Sequence, residues 1–192
     1  MKLYRYFSAE NHLRDFISGN IFMAALSSFS LLEKIDEVGN ERHDPNESLA
    51  TVECGGVISI QYFGNVTRVL CCSTDLTDNL RKNFGAYVVC IEDSEELASL
   101  LQAALADSFL GLGDLMSGSI NYSNEPLDEY VFPHSILFSK PLTYQLEREY
   151  RFAFIEKDVQ EVVKCNRVFT AKPLHRVLRI REDKLRSICS VV

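Results

Sequence analysis

The sequence predicts an α+β protein: a largely antiparallel or mixed central sheet, an N-terminal strand–helix–strand unit and one long amphipathic helix. Three observations carry this expectation. Short apolar runs with strand-like alternation follow one another along the chain, interrupted by a single strong helical pattern, which disfavours a regular doubly wound sheet. The chain has 192 residues, 46% hydrophobic and 24% charged, enough to bury a core without crosslinks. No repeat, low-complexity tract or linker divides it, so one domain over 1–192 is expected.

Leu3-Tyr4-Arg5-Tyr6-Phe7 alternates and is rich in aromatics, which reads as a first strand. Ser8 suits a helix cap, Leu13, Phe16 and Ile17 form one apolar face, and Gly19 supplies the stop. Asn20 to Leu26 reads as a second strand. Glu33 to Ser48 is too polar for a core and is broken by Gly39 and Pro45, so it is expected to be a surface loop. Val57–Phe63, Thr67–Ser73 and Ala86–Ile91 read as three strands, with a polar link ending at Gly85. Asp93 opens the best helix: Glu96 completes a capping box, and Leu97, Leu100, Leu101, Ala104, Leu105 and Phe109 line one side. Gly111–Asn124 reads as a loop. Further strands are expected at Glu129–Phe132, Ile136–Phe138, Tyr150–Ile155, Arg167–Ala171 and Arg176–Ile180, before a short helix from Glu182.

The net charge is −7 with no basic block, which argues against a surface for duplex nucleic acid, although a groove for one nucleotide needs only one or two arginines. Six cysteines occur without a CxxC pair, and Cys71, Cys72 and Cys90 lie in apolar runs. They read as buried free thiols of a reducing compartment, and no metal site is expected from their spacing. The opening residues lack the apolar stretch of a signal peptide, and no run approaches the length of a membrane span. A cytoplasmic location follows as an expectation, with no membrane partner.

The most unusual stretch is Tyr144-Gln145-Leu146-Glu147-Arg148-Glu149-Tyr150-Arg151. As a strand, it would put Gln145, Glu147, Glu149 and Arg151 on one face, which is either a charge-stabilising site or a solvated strand entrance. Arg5, with Tyr6 beside it, shares a strand face with Leu3 and Phe7. It therefore needs a cleft or a partner, unless Tyr4 and Tyr6 face inward instead. Ser27, Ser28 and Ser30 close the second strand, where hydroxyls orient ligands or serve turns. His12, His43, His134 and His175 are scattered, and no HExxH, GxSxG, GxGxxG or phosphate-loop motif occurs.

Several of these segments together resemble an uncharacterised family of bacterial and phage domains. They are Leu3-Tyr4-Arg5-Tyr6, Ile21-Phe22-Met23-Ala24 leading to Ser27-Ser28-Phe29, Gly39-Asn40-Glu41-Arg42-His43-Asp44-Pro45-Asn46-Glu47, Cys71-Cys72-Ser73, Phe84-Gly85-Ala86-Tyr87-Val88-Val89 and Phe138-Ser139-Lys140-Pro141 with Tyr144, Glu147, Glu149, Tyr150 and Arg151. The sequence departs from the commoner family pattern near Ser30, and the resemblance implies no established activity. A more remote likeness concerns the order Arg5, Ser28, Glu149 and the pair Glu147/Glu149, which is similar to ADP-ribosyltransferase architecture. That likeness implies NAD as the nucleotide, Glu149 and Glu147 as catalytic carboxylates, and Arg5, Tyr6, Ser27, Ser28, Ser30 and Arg151 as cofactor contacts, in a toxin or phage-defence setting. The alternative is a non-catalytic module that binds a nucleotide or a protein partner.

Overall fold

The computed structural model describes residues 1–29, 67–108, 114–124, 137–155 and 175–192, with the backbone of strands 49–54, 57–62 and 127–128. The expected strands at 129–132 and 167–171, the acidic loop and Ser30 lie outside the described residues. The fold is α+β, built on an eight-stranded antiparallel sheet. Its strands are β1 (Leu3–Phe7), β2 (Asn20–Ala25), β5 (Thr67–Ser73), β6 (Tyr87–Ile91), β7 (Met116–Ser119), β11 (Glu149–Ile155), β12 (Arg176–Arg179) and β13 (Cys189–Val191). Beside it lie β3 (Leu49–Cys54), β4 (Val57–Tyr62) and β9 (Leu127–Asp128) in one small sheet, and β8 (Asn121–Tyr122) with β10 (Ser139–Lys140) in another.

One face of the main sheet carries α1 (Glu10–Ile17), α3 (Ser94–Asp107) and α4 (Glu182–Ile188). Leu13 and Phe16 of α1, Leu97, Leu101 and Leu105 of α3, and Leu185 of α4 pack there against Leu3, Phe7, Ile21, Met23, Leu70, Phe152 and Phe154. The spacing of the α3 leucines puts them on one stripe, so the helix buries them and leaves Glu95 and Glu96 outside. Asp93 caps α3, its side chain accepting from the Glu95 and Glu96 N–H groups. The other face holds two smaller clusters, Leu26, Val69, Leu137, Phe138 and Ala153 in one, Tyr6, Leu80 and Val88 in the other.

Five local readings need correction. Ala9, not Ser8, sits at the N-cap of α1, with no side-chain hydrogen bond. The polar link before Gly85 contains α2 (Asp78–Phe84), capped by Thr77, whose hydroxyl accepts from Leu80 N–H. Its apolar pattern is one buried residue, Leu80, too little to reveal a helix by periodicity. The segment expected as a loop from Gly111 includes two short strands, the serine- and glycine-rich β7, which pairs with β11, and β8, which pairs with β10. Leu137 and Phe138 precede a strand rather than forming one, the strand being Ser139–Lys140. The run from Leu142 to Glu147 is a 3₁₀ helix, not a strand, and Arg148 reverses the chain at φ 48° before β11 begins.

Gly19 follows α1 at φ +93°, and a Cβ there would lie 2.0 Å from the Ile180 carbonyl oxygen. That carbonyl-level approach lets Ile180 N–H donate to Gly19 O at 2.9 Å, which ties α1 to the β12 end of the sheet.

The position of the site follows from one topological fact. β11 pairs with β5 along its whole length, from Glu149↔Ser73 to Ile155↔Thr67. A strand has only two edges, so β1 and β2 must share the other one. β2 takes Val69 and Arg68, and β1 takes Ser73 alone. The sheet therefore splits between β1 and β2, and Cys71 stands at the split.

Candidate functional site

A cleft of about 470 Å³ opens over this split, lined by Arg5 and Tyr6 of β1, Phe22 of β2, Cys71 of β5, and Glu147, Glu149, Arg151 and Lys140 from the opposite side. Its size is that of a small-molecule site. The backbone at the split is chemically unusual. In an antiparallel strand one residue's N–H and C=O point to the same edge, and neighbouring residues alternate. The Cys71 carbonyl accepts from the Arg5 guanidinium, so the Cys71 N–H also faces the split. The flanking positions Val69 and Ser73 find partners in β2 and β1, respectively. Tyr4↔Ser73 being the β1–β5 pair, Tyr6 N–H and C=O point at the same gap from the other side. Two strand edges thus face one another without joining, and a guanidinium stands in for the missing ladder.

Arg5 shares its strand face with the buried Leu3 and Phe7, and its guanidinium lies 5.6 Å from the Phe7 ring centroid. The inverse arrangement, with Arg5 solvated and both tyrosines inside, is not found: Tyr6 is buried, and Tyr4 and Arg5 are each half-buried at the cleft. Arg5 Nε is buried without a hydrogen-bond partner among the described residues. An unfilled donor on a cation beside a cleft favours an anionic or carbonyl oxygen there. The register puts Arg5 and Glu149 on opposite sheet faces, Tyr4↔Ser73↔Glu149 being one row. Both nevertheless line the one cleft, and the Arg5 guanidinium meets the Cys71 carbonyl at the split.

Glu149 opens β11 and is 5% exposed. Its Oε1 accepts from Arg151 Nε at 2.8 Å, and its Oε2 lies 2.9 Å from Lys140 Nζ. The same Lys140 Nζ is 2.8 Å from Glu147 Oε2. Arg151 is fully buried and donates from Nη1 to the Leu137 carbonyl at 2.7 Å. Burial acts to raise the Glu149 carboxyl. The Arg151 and Lys140 charges, with hydrogen bonds from Arg151 and the Cys71 thiol, more than offset it and hold the group well below the usual carboxylate range. The same environment pushes the Cys71 thiol up, by burial first and by the Glu149 charge second. The cleft therefore presents an ionised carboxylate and a protonated thiol.

The charged entrance is thus a buried cluster rather than a solvated edge. Glu149 and Arg151 share a strand face as expected from period two, whereas Gln145 and Glu147 lie on the 3₁₀ helix. The two glutamates still converge, because the left-handed residue Arg148 turns the chain and Lys140 bridges both. Tyr122 secures the turn: its hydroxyl accepts from Glu149 N–H at 2.8 Å. Burial pushes that phenol up to about 12, so it stays neutral.

The remaining expected contacts divide. The Tyr6 ring lines the cleft, but its hydroxyl donates to the Asp75 carbonyl at 2.8 Å and accepts from Thr77 N–H at 3.4 Å, anchoring the start of α2. Ser27 is fully buried, and Ser28 donates to the Ala25 carbonyl at 2.6 Å within a 3₁₀ turn. Neither serine lines the cleft, and the neighbouring Phe29 does. Lys140, Cys71, Phe22 and Tyr122 are the contributors that sequence reasoning did not single out as site residues. Lys140 carries one weak signal, a lysine within an apolar stretch before Pro141; the others are indistinguishable from core residues until the strands are paired.

Among the described residues, no group of three or more His, Cys, Asp or Glu side chains is placed to hold a metal ion, and no helix is long and apolar enough to cross a membrane. No protein-family profile, curated protein or solved structure matches this chain.

Proposed function

We propose that the cleft binds NAD and that the protein transfers ADP-ribose, with Glu149 as the charge-stabilising carboxylate. The observation that supports this reading is the split itself, where Arg5 and an ionised Glu149 line one cleft beside unjoined strand edges. Cleavage of the bond between nicotinamide and ribose leaves positive charge on the ribose ring, and the electron pair of the bond departs with nicotinamide. A fixed anion next to that carbon lowers the barrier more than a strong nucleophile would. Arg5 supplies a cation for the phosphates.

Glu149→Gln keeps the size and removes the charge. Nicotinamide release is expected to fall by about 10²–10³ while NAD affinity changes little. Arg5→Ala is expected to weaken NAD binding instead. Nicotinamide release by wild type that equals the rate of the Glu149→Gln variant rejects the catalytic role. A second reading, binding without turnover, is favoured by the fact that both Glu149 oxygens already hold a cation. It predicts a calorimetric NAD titration with no nicotinamide released.

A further inference from the structure

We propose that Phe22 is a stacking platform for a purine, which makes the cleft a site for an adenine dinucleotide rather than for a single small ring. The proposal deepens the NAD reading and rests on it for the ligand's other half. Phe22 lies on β2 within the cleft lining and is 46% exposed, so its ring is open to a ligand there. One face of its ring is covered by His175, with ring centroids 4.5 Å apart and planes inclined by 34°. A second planar ring on its uncovered side would complete a stack, and base–aromatic stacking requires no particular base edge.

The layout across the sheet matches such a ligand. From Ala24↔Val69 and Glu149↔Ser73, the residues Phe22, Cys71 and Glu149 belong to one sheet face, on β2, β5 and β11 in that order. Two strand spacings separate β2 from β11, at least about 10 Å, more because β2 diverges from β5 at the split. The Arg5 guanidinium is bonded to Cys71 O, between the two ends. An aromatic platform, a cation and an anion in that order complement a base, a phosphate linkage and an electron-poor ring. Asn20, two residues before Phe22 and so on its face, also lines the cleft. Its Nδ2 donates to Ser18 Oγ at 3.2 Å, and Oδ1 has no bond among the described residues. An amide in that place suits the donor and acceptor pair on adenine.

The test is calorimetric titration of wild type, Phe22→Ala and Phe22→Trp with three probes: AMP, NAD and free nicotinamide. Phe22 is partly exposed, so neither change opens a core cavity. Phe22→Ala is expected to weaken AMP and NAD by roughly 5- to 150-fold and leave nicotinamide unaffected. Phe22→Trp is expected to restore AMP binding. Equal AMP affinity in wild type and Phe22→Ala, or no AMP binding by wild type, overturns the platform. Wild type that binds AMP in a Phe22-dependent way, yet neither binds nicotinamide nor releases it from NAD, upholds the platform and rejects the transferase reading.

Discussion

Replacing Lys140 by Met tests whether the buried charge cluster is organised as the geometry implies. Lys140 Nζ stands 2.8 Å from Glu147 and 2.9 Å from Glu149, and the three side chains are 10%, 16% and 6% exposed. Methionine preserves the length and apolar stem of the side chain, so the change is mainly the loss of one charge. Removing one partner of a buried ion pair costs about 3–5 kcal/mol, because a carboxylate is left desolvated beside another. In the wild type the Arg151 and Lys140 charges overcome burial and hold the Glu149 carboxyl well below the ordinary value of 4.5. Its contribution to stability is therefore present above pH 4.5 and lost only as pH falls through its depressed folded value.

In the variant, Glu147 and Glu149 repel and titrate as a unit, one proton binding more tightly in the folded than in the unfolded state. The variant is then penalised most at neutral pH, and the penalty shrinks as pH falls towards 4.5. Urea unfolding at pH 7.5 and pH 5 reads both quantities. The expected result is a loss of about 3–5 kcal/mol at the higher pH and a clearly smaller one at the lower. A loss below about 1 kcal/mol at pH 7.5, the range of an exposed pair, or the same loss at both pH values, would refute the bridging role.

Other perturbations address the frame around the site. Leu101 is fully buried in the helical face of the sheet, so Leu101→Ala should cost about 2–5 kcal/mol in urea unfolding. Gly85 sits at φ +128°, where a Cβ would lie 2.1 Å from the Phe7 carbonyl oxygen. Gly85→Ala should cost about 1–3 kcal/mol or more and loosen the end of β1, a loss visible as a lower thermal midpoint. Burial pushes the Cys72 thiol up to about 12, so iodoacetamide at pH 8 should modify it far more slowly in the native protein than in urea, followed by peptide mass spectrometry.

Local chemistry made much of this protein legible without coordinates. The alternation of Leu3 to Phe7 and the short apolar runs of Asn20 to Ala25, Thr67 to Ser73 and Tyr150 to Ile155 mark strands because each pattern is a property of its segment alone. The Asp93 cap and the Leu97, Leu101 and Leu105 stripe mark α3 for the same kind of reason. The same period-two rule read across Leu142–Glu147 misplaces Glu147 on a strand. Nothing in side-chain type announces that Arg148 adopts the left-handed conformation.

What only the tertiary structure decides is which edges meet. Strand pairing depends on long-range contacts that no single segment encodes, so the sharing of one β5 edge by β1 and β2 is invisible in the order of residues. That sharing turns Arg5 from an awkward strand arginine into the guanidinium that fills a broken ladder, and it leaves Ser27 and Ser28 away from the cleft. The residue types that carry charge were readable from the chain. Their burial, and hence the strength and ionisation state of the cluster, arises where Lys140 from one strand end meets the turn before another.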